Sequence, residues 1–192
     1  MKRILILGLL FAGVSASSQS LHFGLKGGAN ITNFTGGDFG TIKNKAIVAF
    51  HGGAYLNIQF AGLSVQPEVL ISSQGSKLED AGNTETWKAT YIAVPVMLKF
   101  KPSGNFYLEA GPQVSFKISE DIGNQTFNEF AKDLDLSIGA GLGIQGKSGF
   151  GLGARYMAGL SKVGDFTSSS IDPDFKNGVL QISLMIGLGG GK

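Results

Sequence analysis

Val179-Leu180-Gln181-Ile182-Ser183-Leu184-Met185-Ile186-Gly187-Leu188 decides the fold. Leu180, Ile182, Leu184, Ile186 and Leu188 occupy every second position, and Gln181, Ser183, Met185 and Gly187 lie between them. A period of two belongs to a strand, whose successive side chains point to opposite faces. One face is uniformly aliphatic and the other is polar or small, so the strand divides two different surroundings.

The same alternation predicts eight strands, over 21–31, 47–60, 63–75, 87–101, 105–118, 134–145, 150–160 and 178–189. Each is long enough for a tilted membrane strand, which needs ~9–11 residues. The apolar parity carries Phe23, Leu25, Phe50, Leu56, Val65, Ile71, Val96, Leu98, Leu108, Phe116, Ile138, Leu142, Leu152 and Tyr156. The opposite parity carries Lys26, Asn30, His51, Asn57, Gln66, Glu68, Lys99, Glu109, Gln113, Asp135 and Arg155. A water-soluble barrel would alternate too, with its apolar face inside. Connection lengths separate the two readings. They run long, short, long, short: 32–46, 61–62, 76–86, 102–104, 119–133, 146–149 and 161–177. Short turns at one end and long loops at the other mark an outer-membrane barrel. Phe23, Phe60, Phe100, Phe106 and Phe150 all face the apolar side beside the short turns, as an interfacial aromatic girdle does. Hydrocarbon cannot satisfy an unpaired edge, so the strands must close. Pro67, Pro95 and Pro112 fall within strands, where the missing N–H predicts bulges.

Residues 1–18 read as a secretory signal peptide and 19–192 as the barrel domain. Lys2 and Arg3 precede the apolar Ile4–Val14 run, and small residues follow at Ala16 and Ser18. The run is short of the roughly 20 residues of a membrane helix. The chain has no Cys, so stability must come from strand pairing and burial. Without Lys2 and Arg3, 14 basic residues balance 14 acidic ones. No basic block exists and no nucleic-acid partner is expected.

The polar parity gathers Lys26, Glu68, Lys99, Glu109 and Arg155 inside the barrel, as a salt-bridge network in place of an apolar core. An eight-stranded barrel is just wide enough for side chains to fill it. No catalytic set is expected: His22 and His51 are the only imidazoles, and no Ser is spaced against either in a recognisable motif. No cofactor or metal ligand set is expected either. Asp121, Glu129, Asp133 and Asp135 lack the spacing of a calcium loop and read as a solvated acidic loop.

Tyr91-Ile92-Ala93-Val94-Pro95-Val96-Met97-Leu98-Lys99 resembles a strand motif of the PorT-like outer-membrane β-barrel family, common in Bacteroidota. Gly24–Asn30, Leu63–Leu70 and Gly111-Pro112 resemble other strands of that family. The resemblance implies an outer-membrane location and an association with type IX protein secretion. The Leu188-Gly189-Gly190-Gly191-Lys192 tail departs from the aromatic ending of many such barrels.

The sequence therefore predicts an all-β, eight-stranded, antiparallel up-and-down transmembrane barrel of the outer membrane, with short periplasmic turns and long extracellular loops. The expected role is structural or interactive, through loops 119–133 and 161–177, with lipid and secretion-system or cell-surface proteins as partners. A narrow channel for small solutes or ions is the first alternative. A soluble periplasmic ligand-binding barrel is the second.

Overall fold

A computed structural model describes residues 20–36, 43–60, 62–80, 83–121, 133–146, 148–162 and 175–190. Their strands are β1 (Ser20–Thr35), β2 (Lys43–Lys45), β3 (Ile47–Phe60), β4 (Leu63–Asp80), β5 (Asn83–Ser103), β6 (Phe106–Asp121), β7 (Leu134–Gln145), β8 (Gly151–Gly159) and β9 (Lys176–Gly190). The eight long strands pair antiparallel with their neighbours, and β1 pairs with β9 to close the barrel. The closing register sets Leu25 against Ile186 and Ala29 against Ile182, so the aliphatic face of β9 continues across the seam. β2 adds a short piece to the outer end of β4.

The two faces are inverted relative to a protein in water. Leu25, Ile71, Leu142, Ile144 and Ile186 are each more than half exposed, while Lys26, Glu68, Gln181 and Arg155 are at most 5% exposed. A continuous belt of exposed aliphatic side chains of this extent marks a surface covered by something apolar. The five girdle phenylalanines all lie on that outer face, each between 38% and 56% exposed. Gly62 and Gly104 turn the chain at the short end with φ of 95° and 58°, a conformation that suits glycine.

Two expectations need correction. Residues 76–86 are not an open loop: β4 runs to Asp80, β5 starts at Asn83, and their backbones pair through Lys77–Thr86 to Asp80–Asn83. Apolar alternation stops near residue 75 because this hairpin stands beyond the apolar belt. There neither face must be greasy, and ladder hydrogen bonds alone extend the strands. The prolines, for their part, make gaps and no bulges. Pairing of β4 with β5 breaks after Pro67–Val96 and resumes in the same register at Leu70–Ala93, opposite Pro95. Likewise β5–β6 pairing breaks after Pro95–Gln113 and resumes at Leu98–Ala110, beside Pro112. One lost N–H interrupts a ladder that is held on both sides, and no extra residue is inserted. Register shifts occur elsewhere, at Phe23/Gly24, Thr90/Tyr91 and Phe100/Ser103.

The seam is tight at Gly28. A Cβ there would run into the Ile182 carbonyl oxygen and lie 2.8 Å from Ser183 Cα. Gly28→Ala is therefore expected to destabilise the barrel by about 1–3 kcal/mol, the cost of overpacking. A lowered midpoint of denaturant unfolding would register it, and an unchanged midpoint would show that β9 yields freely. The proposed signal peptide, 1–18, lies outside the described residues, as does most of loops 119–133 and 161–177.

Candidate functional site

The pleat turns alternate residues of every strand into the lumen, and five of those residues are charged. Lys26 comes from β1, Glu68 from β4, Lys99 from β5, Glu109 from β6 and Arg155 from β8. The structure brings all five into one connected layer. Arg155 reaches Glu68 with two parallel bonds, Nη1 to Oε2 at 3.1 Å and Nη2 to Oε1 at 2.8 Å. β4 and β8 stand on opposite walls, separated by three strands either way round, so this pair spans the lumen. Arg155 Nε also donates to Glu109 Oε1 at 2.7 Å. Such forked, charge-assisted bonds are the strongest a guanidinium makes. Lys26 Nζ bonds both Glu68 oxygens at 3.2 and 3.1 Å, and Gln66 Nε2 donates to Glu68 Oε1 at 2.8 Å. Lys99 Nζ sits 3.5 Å from Glu109 Oε2 and 4.1 Å from the centre of the Tyr107 ring.

All five side chains are at most 6% exposed. Each ion would be costly alone at that depth, so the layer stands only because its members pair. Three cations face two carboxylates, a formal excess of +1. Toward the short-turn end Tyr55, Tyr107 and Met185 pack together as a buried cluster inside the barrel. Gln145 Nε2 donates to the Tyr55 hydroxyl there, at 3.2 Å.

Above the charged layer lies a contact that the sequence did not reveal. His51 Nδ1 is 2.7 Å from Asn30 Oδ1, and its Nε2 is 2.9 Å from Ser183 Oγ. Asn30 Nδ2 in turn donates to Ser72 Oγ at 3.0 Å and to the Ser73 carbonyl at 2.8 Å. Ser183 and His51 are 132 residues apart and meet through β1, which pairs with both β3 and β9, so no local spacing could have shown it. The three side chains satisfy one another inside the wall, with His51 and Ser183 at most 5% exposed.

Nearer the long-loop end, Phe34, Trp87 and Phe175 form a buried aromatic cap. Phe34 lies 5.1 Å from the Trp87 ring and 4.5 Å from that of Phe175. Trp87 Nε1 donates to Glu120 Oε1 at 2.6 Å, and Lys117 Nζ lies 3.0 Å from Glu120 Oε2. Trp87 is the only tryptophan of the chain and is 3% exposed. Its emission is expected to be blue-shifted in the folded barrel, and Phe175→Ala to move it red by exposing the indole. Identical spectra for both proteins would show that the cap does not shield the ring.

Asp135, read from sequence both as an inward residue and as part of an acidic loop, is inside: it is 4% exposed. Parity prevailed because β7 begins at Leu134.

Residues 16–165 match a family model described as outer membrane protein beta-barrel domain. A comparison with curated proteins gave no match. Among solved structures, the chain is similar to neisserial surface protein A, at 14% identity and a TM-score of 0.56, covering 85% of this chain and 96% of that one. It is also similar to the outer membrane protein OprG from Pseudomonas aeruginosa, at 12% identity and a TM-score of 0.49, covering 88% and 95%. At these identities the neisserial likeness speaks for the fold alone.

Proposed function

Because the chain belongs to the outer membrane protein beta-barrel domain family, and so is a small barrel of the outer membrane, we propose that it serves as a sealed platform presenting its long loops to the outside. The observation that carries this is the charged layer, whose bonds of 2.7–3.2 Å tie β1, β4, β6 and β8 together across the lumen. A conducting path would have to pass Arg155 and then Tyr55 and Tyr107, all buried. The narrow channel is the weaker reading on that ground. The soluble periplasmic barrel is overturned by the exposed aliphatic belt and the outer-membrane family.

Surface display is tested by protease added to intact cells. Cutting is expected only in the long connections, within 37–42, 122–132 or 163–174, leaving a membrane-protected core. Cutting that requires a permeabilised outer membrane would contradict it. The finer placement, in the PorT-like branch with a role beside type IX secretion, is supported by the Tyr91–Lys99 and Gly24–Asn30 motifs. Deleting the gene is then expected to reduce export of type IX cargo, and undiminished export would remove that assignment.

A further inference from the structure

The proton on one imidazole in the lumen is placed by its neighbours. Asn30 Nδ2 donates to the Ser73 carbonyl at 2.8 Å and to Ser72 Oγ at 3.0 Å. A carbonyl only accepts, so the amide meets it with its nitrogen, and Oδ1 is left facing His51 Nδ1 at 2.7 Å. An amide oxygen also only accepts. His51 Nδ1 therefore carries the proton, and in the neutral ring Nε2 keeps its lone pair. The atom 2.9 Å from Nε2 is Ser183 Oγ, whose hydroxyl then donates to it.

A serine hydroxyl on the free nitrogen of an imidazole, with an acceptor behind the other nitrogen, is the arrangement of nucleophile, base and orienting group. It is recognised by geometry and not by chain order. The barrel assembles it across neighbouring strands. Ser183 and His51 pair with Gly28 from its two sides, and Gly28 has no side chain to stand between them. Asn30 is fully buried, while His51 and Ser183 keep 5% and 3% of their surface accessible. Lys26 lies two residues before Gly28 on the same face of β1, so the positively charged layer sits just beneath. Positive charge there favours an oxygen that becomes negative during reaction.

We propose that Ser183 is a nucleophile for acyl transfer, with His51 Nε2 as its general base and Asn30 as the residue that positions the ring. The substrate is a small carboxylic ester entering from the long-loop end. Ser183 Oγ attacks the ester carbonyl carbon while His51 Nε2 takes the hydroxyl proton. The bond to the alcohol oxygen breaks, His51 returns the proton to that oxygen, and the acyl group stays on Ser183. Water then attacks the acyl-serine, with His51 again as base, releasing the carboxylic acid and restoring the hydroxyl. The group lies on the long-loop side of the charged layer, so this activity and a non-conducting barrel stand or fall separately.

The test treats the refolded full chain in detergent with diisopropyl fluorophosphate, which phosphorylates an activated serine and releases fluoride. A diisopropylphosphoryl adduct is expected on Ser183 by peptide mass mapping, together with hydrolysis of p-nitrophenyl acetate that the adduct abolishes. Ser183→Ala is expected to lose both reactions. His51→Gln is expected to slow both by roughly 10²–10⁴-fold, the contribution of a general base. Heat-modifiable gel migration shows whether each variant is folded. Nitrogen NMR of the histidine-labelled chain reads the part played by Asn30: the proton is expected on His51 Nδ1, and shared between both ring nitrogens in Asn30→Ala. No adduct on Ser183 in the native chain would overturn the proposal, as would a neutral ring protonated on Nε2 or undiminished labelling in folded His51→Gln. The adduct and the tautomer are both read in the native chain, so they decide the matter should a variant fail to fold.

Discussion

Glu68→Ala is expected to lower the unfolding free energy of the barrel by about 3–5 kcal/mol, the cost of stranding buried charges. Glu68 accepts from Lys26, Arg155 and Gln66 at once. Its removal leaves two cations sharing Glu109 alone, with Lys99 already beside that carboxylate. The effect comes from unpaired charge and not from lost volume. A concerted apolar replacement, Lys26→Met with Glu68→Leu and Arg155→Met, is therefore expected to cost much less than the single change. Urea unfolding of the refolded protein in lipid vesicles, followed by gel migration, measures both. A Glu68→Ala midpoint equal to wild type would mean that water already surrounds these groups and that the lumen is open.

Ile138→Arg is expected to cost about 2–4 kcal/mol, the range for arginine at the midplane of a membrane barrel's lipid face. Ile138 is 52% exposed on the outer face of β7, between Leu134 at one end of that strand and Ile144 near the other. The penalty depends on depth, so Leu134→Arg at the strand's end is expected to cost only about 0–1 kcal/mol. In water both substitutions would be nearly neutral. Comparing the two midpoints in lipid vesicles separates a membrane surface from a merely exposed one, and equal small effects would mean that no bilayer covers β7.

Much of this architecture was legible because a membrane barrel enforces its period of two on both faces. Leu180 to Leu188 and Lys99 to Glu109 could be assigned outward or inward by parity alone, and the structure places them so. The five lumen charges met for a simple reason. A narrow closed barrel leaves inward charges no neighbour but one another. Three things escaped. The hairpin over residues 76–86 carries no apolar alternation, because it is held by backbone pairing beyond the apolar belt. The Ser183–His51–Asn30 chain depends on the closure of β9 onto β1, a contact between the two ends of the domain. The Phe34–Trp87–Phe175 cap likewise joins β1, β5 and the residue just before β9, and inward aromatics look alike in sequence whether they cluster or not. At the prolines a missing donor does not imply an inserted residue. Here the register runs straight through Pro67 and Pro95.

In the sealed barrel proposed above, side chains close the lumen, with the layer of Lys26, Glu68, Lys99, Glu109 and Arg155 as the barrier. Planar-bilayer recording of the purified, refolded chain tests it most directly. The expected result is insertion, verified by recovery of heat-modifiable protein, with no unitary current above baseline. Steady single-channel currents that scale with salt concentration would contradict the sealed barrel and establish the narrow channel in its place.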